Sequence, residues 1–129
     1  MRFISTKVHG VLDYLMGIIL IASPWVFGFA HMGAETWVPV ISGAGVILYS
    51  LITNYEYGIT KGISMGTHLG LDIVSGMFLA LSPWIFGFSD LVYMPHLVLG
   101  ILEVGASVMT DPVPYTRSTN RAHRHQHAH

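Results

Sequence analysis

Ser23-Pro-Trp-Val-Phe-Gly-Phe29 returns in mid-chain as Ser82-Pro-Trp-Ile-Phe-Gly-Phe88. Upstream of each copy, His9-Gly-Val-Leu-Asp13-Tyr-Leu-Met-Gly17 returns as His68-Leu-Gly-Leu-Asp72-Ile-Val-Ser-Gly76. The interval from residue 9 to 68 equals that from 23 to 82, 59 positions, so the two segments align without a gap. A weaker match at the interval from residue 43 to 100 pairs Gly43 with Gly100, Ser50 with Ser107, Thr53 with Thr110 and Asn54 with Asp111. Self-similarity of this kind marks one structural unit used twice. The chain reads as a tandem duplication of a two-helix hairpin, repeat 1 over about residues 8–55 and repeat 2 over about 67–111.

Each unit holds two apolar stretches, at residues 8–29, 37–53, 67–88 and 93–110. A bilayer core of about 30 Å needs about 20 helical residues, with about 17 as the lower limit. All four stretches reach that limit, the second and fourth narrowly. Composition agrees: the 129 residues are 52% hydrophobic and only 10% charged, with a mean hydropathy of +0.56. A soluble domain of this size needs about 25% charged residues to wet its surface. The fold class expected is therefore an all-α membrane protein of four transmembrane helices, with residues 112–129 as a separate tail. A signal peptide is the competing reading of the first stretch, since Arg2 and Lys7 precede it and Gly28-Phe-Ala30 resembles a cleavage site. His9 and Asp13 inside the apolar run, and its recurrence in mid-chain, argue against that.

Two spans per unit make both copies enter the membrane from one side, which implies a parallel repeat about a pseudo-two-fold axis along the membrane normal. Arg2, Lys7, Lys61, Arg117, Arg121 and Arg124 all fall on one side of the four spans. The opposite loops carry Glu35, Asp90 and His31. The positive-inside rule then places both termini in the cytoplasm.

The doubled Ser-Pro-Trp-[Val/Ile]-Phe-Gly-Phe resembles the SPW-repeat integral membrane proteins of bacteria, named for Ser23-Pro24-Trp25 and Ser82-Pro83-Trp84. The resemblance spans both repeats and leaves only the tail outside. It implies a four-helix protein of the bacterial inner membrane and brings no biochemical activity with it.

Pro24 lacks an N–H and should free the carbonyl of Leu20, which in lipid needs another donor, from Ser23 or from a neighbouring helix. Trp25, Phe27 and Phe29, with Trp84, Phe86, Phe88, Trp37 and Tyr93, read as an interfacial aromatic belt. The stronger clue is polar. His9, Asp13 and Gly17 share one helical face, and His68, Asp72 and Gly76 repeat it. Glycine on that face permits close approach to another helix. Glu103 is expected in a similar layer, with no counterpart in repeat 1, where Val46 aligns.

Carboxylates in apolar surroundings need partners. Three readings follow: His–Asp pairs, within a helix or across the repeats, that hold the structure together; a divalent metal among His9, Asp13, His68 and Asp72; or proton and solute handling that includes Glu103. A bis-histidine haem on His9 and His68 fits poorly beside two acids. No cofactor is required by the sequence. Zero cysteines exclude disulfides and thiol chemistry. Enzyme motifs are absent, so no catalytic role is expected. With a formal net charge of -1 and no basic patch, nucleic acid is excluded as a partner. Membrane lipid is the expected partner, with a second copy or another membrane protein left open.

Gly58 to Gly70 reads as a connector, with Gly66 and Gly70 forming a GxxxG if helical. Two prolines, Pro112 and Pro114, end the last span. The tail that follows, read as disordered, closes on His123, His125, His127 and His129, a tract able to bind metal weakly or, with its arginines, to touch anionic lipid.

Overall fold

The computed structural model describes residues 2–113, so the histidines of the tail lie outside the described residues. The chain forms four helices: α1 (Thr6–Val26), α2 (Ala34–Leu51), α3 (Met65–Ile85) and α4 (Met94–Val108). The starts of α1 and α3 and the turns beyond their ends have local causes. Ser5 and Ser64 cap α1 and α3, their side chains accepting from the amides of Val8 and Thr67. Those bonds satisfy amides that a helix start leaves without a partner. At the far ends Gly28 and Gly87 take φ of 74° and 72°, a conformation that penalises any residue with a Cβ. The chain reverses there as the amides of Phe29 and Phe88 donate to the carbonyls of Pro24 and Pro83, each at 2.8 Å.

Neither Pro24 nor Pro83 interrupts its helix. Pro24 and Pro83 remove the bonds that the carbonyls of Leu20 and Leu79 would accept. The hydroxyls of Ser23 and Ser82 donate to those carbonyls instead, at 2.8 and 2.6 Å. Serine before proline is thus the local replacement for the missing N–H, which hydrocarbon could not supply.

Helix packing is concentrated within two hairpins, α1 with α2 and α3 with α4. Their crossing points are glycines. A Cβ on Gly43 would meet the carbonyl oxygen of Gly17 at 2.5 Å, and one on Gly100 would meet that of Gly76 at 2.5 Å. Gly17 and Gly76 therefore serve the contact inside each hairpin. Gly66 and Gly70 lie in the first turns of α3 and meet no neighbouring helix, so their GxxxG spacing is no packing seam.

The distribution of polarity is inverted relative to a soluble bundle. Among the described residues fifteen polar or ionisable side chains are buried, against nine apolar ones. Val11, Leu15, Ile18, Val74, Met77 and Ile101 lie outside, exposed. That pattern is stable only where the surroundings are themselves apolar. Three helices, of 21, 18 and 21 residues, are long and apolar enough to cross a membrane. The fourth corrects an expectation: it has 15 residues, about 22 Å at 1.5 Å per residue, not the 18-residue span read from the sequence. Pro95 sets its start, and its end is drawn out of helical geometry at Thr110.

That last feature has a twin. Ile4 pairs with Thr110 and Ile63 pairs with Thr53, each as an isolated parallel bridge. Ile4 donates to Met109 and accepts from Asp111, at 3.0 and 2.9 Å; Ile63 donates to Ile52 and accepts from Asn54, at 3.0 and 2.8 Å. The segment before each odd helix is thereby tied to the segment after an even one, and two threonines are fixed beside the helix starts.

Candidate functional site: a crossed histidine–aspartate ring

His9, Asp13, His68 and Asp72 are all buried and converge between the hairpins. Spacing by four stacks each histidine one turn below its own aspartate. The tightest bonds nevertheless cross. His9 Nε2 lies 2.7 Å from Asp72 Oδ2, and His68 Nε2 lies 2.5 Å from Asp13 Oδ2. Within each helix the contacts are longer, 3.1 Å for His9 to Asp13 and 3.3 Å for His68 to Asp72. The four atoms form a closed ring of alternating nitrogen and oxygen.

The threonines of the bridges orient the imidazoles. Thr53 donates its hydroxyl proton to the carbonyl of Tyr49 at 2.5 Å, and Thr110 donates to Ala106 at 2.6 Å. Each hydroxyl oxygen is then left to accept, and at 2.8 Å it accepts from Nδ1–H of His68 and His9 respectively. With Nδ1 carrying a proton on both rings, Nε2 is the atom each histidine offers to the centre. Asp72 has a further donor, the Tyr49 hydroxyl on its Oδ1; the Ser107 hydroxyl lies 3.3 Å from Oδ2 but makes its shorter bond, 2.9 Å, to the carbonyl of Glu103. Tyr55, packed on His68 at a centroid separation of 5.8 Å, closes the ring on the connector side. Burial raises the Tyr55 hydroxyl above the usual tyrosine range, so it stays a neutral phenol.

Glu103 is brought near this ring but not into it. It is buried, and neither carboxyl oxygen has a hydrogen-bond partner. The Ser-Pro-Trp residues lie toward the opposite ends of α1 and α3. Trp25 and Trp84 are 62% and 51% exposed there, with Phe27 and Phe86 also outside. Phe29 and Phe88 depart from the expected belt. Both are buried, and they flank His96 with ring centroids at 5.0 and 4.9 Å. The positive φ at the preceding glycine turns each of them inward while the tryptophan stays out. His96 Nε2 donates to the Glu35 carbonyl at 2.9 Å, and its Nδ1 has no partner.

Sequence reasoning missed Tyr49 and His96, and noted Thr53 and Thr110 only as a matched pair. A signal for His96 was present: His96, Gly100, Glu103, Ser107 and Thr110 follow at helical spacing on one face, the face that is buried.

Fold and site together define an integral membrane four-helix bundle whose apolar exterior encloses a bonded polar ring. The SPW repeat domain family matches residues 7–110, and the chain belongs to that family. No curated protein and no solved structure matches it.

Proposed function

We propose that this protein is a structural or accessory component of the bacterial inner membrane, without enzymatic activity of its own, in which the His–Asp ring locks two duplicated hairpins together. The observation that carries this reading is the direction of the bonds. His9–Asp72, His68–Asp13, His9–Thr110 and His68–Thr53 all run from one hairpin to the other. Close helix–helix approach is concentrated inside each hairpin, the apolar contact between them is a small cluster of Tyr14, Tyr55, Met65 and Leu69, and hydrocarbon gives helices little reason to associate through apolar contact alone. A closed set of buried polar bonds supplies that reason. Positive-inside logic supports cytoplasmic termini, with Arg2, Lys7 and Lys61 at the ring end and Glu35 and Asp90 at the other. Membrane lipid is its immediate partner, and a second copy or another membrane protein would meet the apolar exterior.

The test is thermal unfolding in detergent of the Asp13→Asn, Asp72→Asn double variant. A clear loss of stability is expected, and a melting temperature equal to the parent's would sink the lock.

Glu103 supports a second reading. A buried carboxyl group without partners is a recurrent feature of proton-handling membrane proteins. Proton flux into proteoliposomes that falls with Glu103→Gln would favour it, and identical flux would end it.

A further inference from the structure

We propose that the ring is a tetrahedral binding site for one divalent transition-metal ion of the zinc class, with His9 Nε2, His68 Nε2, Asp13 Oδ2 and Asp72 Oδ2 as its four ligands. The site rests on the lock reading above and gives it a chemical trigger.

Hydrogen bonding leaves the ring half explained. Four nitrogen–oxygen contacts of 2.5, 2.7, 3.1 and 3.3 Å surround the centre. The two Nε2 atoms can carry one proton each, because both Nδ1 protons are already given to threonine. Two contacts are then bonded directly, and the other two are left with only the weak branch of a shared proton. A cation at the centre satisfies all four at once. Each aspartate turns the same oxygen, Oδ2, to both histidines, which is how ligands converge on a point. All four candidate ligand atoms lie within 4.8 Å of one another. Zinc holds nitrogen and oxygen ligands at about 2.0–2.1 Å in a tetrahedron, whose edges are then about 3.3 Å. The longer contacts already have that length, and the shorter ones need to open by less than about 1 Å.

The surrounding shell is of the kind that tunes a metal site. Ligating histidines donate their other ring N–H to a fixed acceptor, and ligating carboxylates are themselves hydrogen-bonded. Thr53 and Thr110 are those acceptors, and Tyr49 holds the outer oxygen of Asp72. Two carboxylates and two neutral imidazoles around a divalent cation leave the pocket without net charge, which a membrane interior favours. Imidazole and carboxylate donors suit zinc, and a four-coordinate arrangement disfavours magnesium and calcium, which take six or more oxygens.

The experiment uses the full-length chain in detergent with His123, His125, His127 and His129 changed to alanine, stripped with chelator and titrated with Co2+. One equivalent should bind with the intense visible absorption of four-coordinate cobalt, and Zn2+ should displace it one for one. A His68→Cys variant should add a near-ultraviolet thiolate-to-cobalt band, since the new donor replaces the old at the same ion. That variant keeps a ligand in place, so the test survives if His9→Ala with His68→Ala does not fold. No bound cobalt, a weak six-coordinate spectrum, or a spectrum unchanged by His68→Cys overturns the site. Failure here is separable from failure of the lock. A metal-free protein destabilised by the aspartate substitutions, yet never binding cobalt, keeps the lock and loses the site. Stoichiometric tetrahedral cobalt with an unaltered metal-free melting temperature keeps the site and loses the lock.

Discussion

The hairpin of α1 and α2 and the hairpin of α3 and α4 contribute the same histidine, aspartate, threonine and glycine positions, yet they do not contribute equally. Asp72 receives Tyr49 in addition to its histidine, and the Ser107 hydroxyl beside it donates to the Glu103 carbonyl, whereas the equivalent hydroxyl, that of Ser50, has no partner. Ala106 stands where a second Tyr49 would serve Asp13. Val46 fills the core fully where Glu103 leaves a carboxyl group unpartnered. Matched residues build the ring, and unmatched ones make one of its aspartates better held than the other. Symmetry supplies the join, and the departures from it are where an individual role would reside.

The largest test of that asymmetry is removal of each aspartate in turn. Taking one partner from a buried ion pair costs about 3–5 kcal/mol, because its counterpart is left uncompensated. Asp72→Ala should cost more than Asp13→Ala, as it also strands the Tyr49 hydroxyl. Equal losses in thermal unfolding would show the extra donor to be idle. The glycine crossings come next. Overpacking a close contact costs about 1–3 kcal/mol. Gly100→Ala should be worse than Gly43→Ala, since its Cβ would meet two backbone atoms, Gly76 O at 2.5 Å and Ala80 N at 2.6 Å. At Gly43 the neighbours beyond the Gly17 carbonyl are the side chains of Leu20 and Ile21.

Where the hairpins match, effects should match. Thr53→Val and Thr110→Val each leave a buried imidazole N–H without an acceptor, a loss of about 1–2 kcal/mol. Values that differ between them would mean that the two histidines are not equivalently held. The smallest effect has the opposite sign. Glu103→Val copies the first hairpin into the second and removes a buried unpartnered carboxyl group, so unfolding should be unchanged or raised by about 1 kcal/mol. A marked loss instead would reveal a bond that Glu103 makes in the folded protein.

Much of the site could be read from residue order. His9 with Asp13, and His68 with Asp72, are visible because spacing by four puts both on one helical face, and because the pattern recurs. Glu103 stands out as an acid in an apolar run. The crossing of the bonds could not be read, since His9 to Asp72 and His68 to Asp13 join residues 63 and 55 positions apart. Tyr49 was illegible for the same reason: its partner lies on another helix, and an interfacial tyrosine looks the same in sequence. Phe29 and Phe88 sit beside exposed aromatics, and only the turn at Gly28 and Gly87 sends them inward.

The sequence by itself determined the helices, their apolar exterior and the repeated polar face, because these follow from hydropathy, spacing and the chemistry of proline and serine along one stretch of chain. Tertiary structure alone decided which histidine meets which aspartate, which threonine fixes each imidazole, and that α4 stops at 15 residues. Those outcomes depend on distances across the bundle, set by glycine contacts and two short bridges between segments remote in the chain. Local pattern carries no information about separations of that kind.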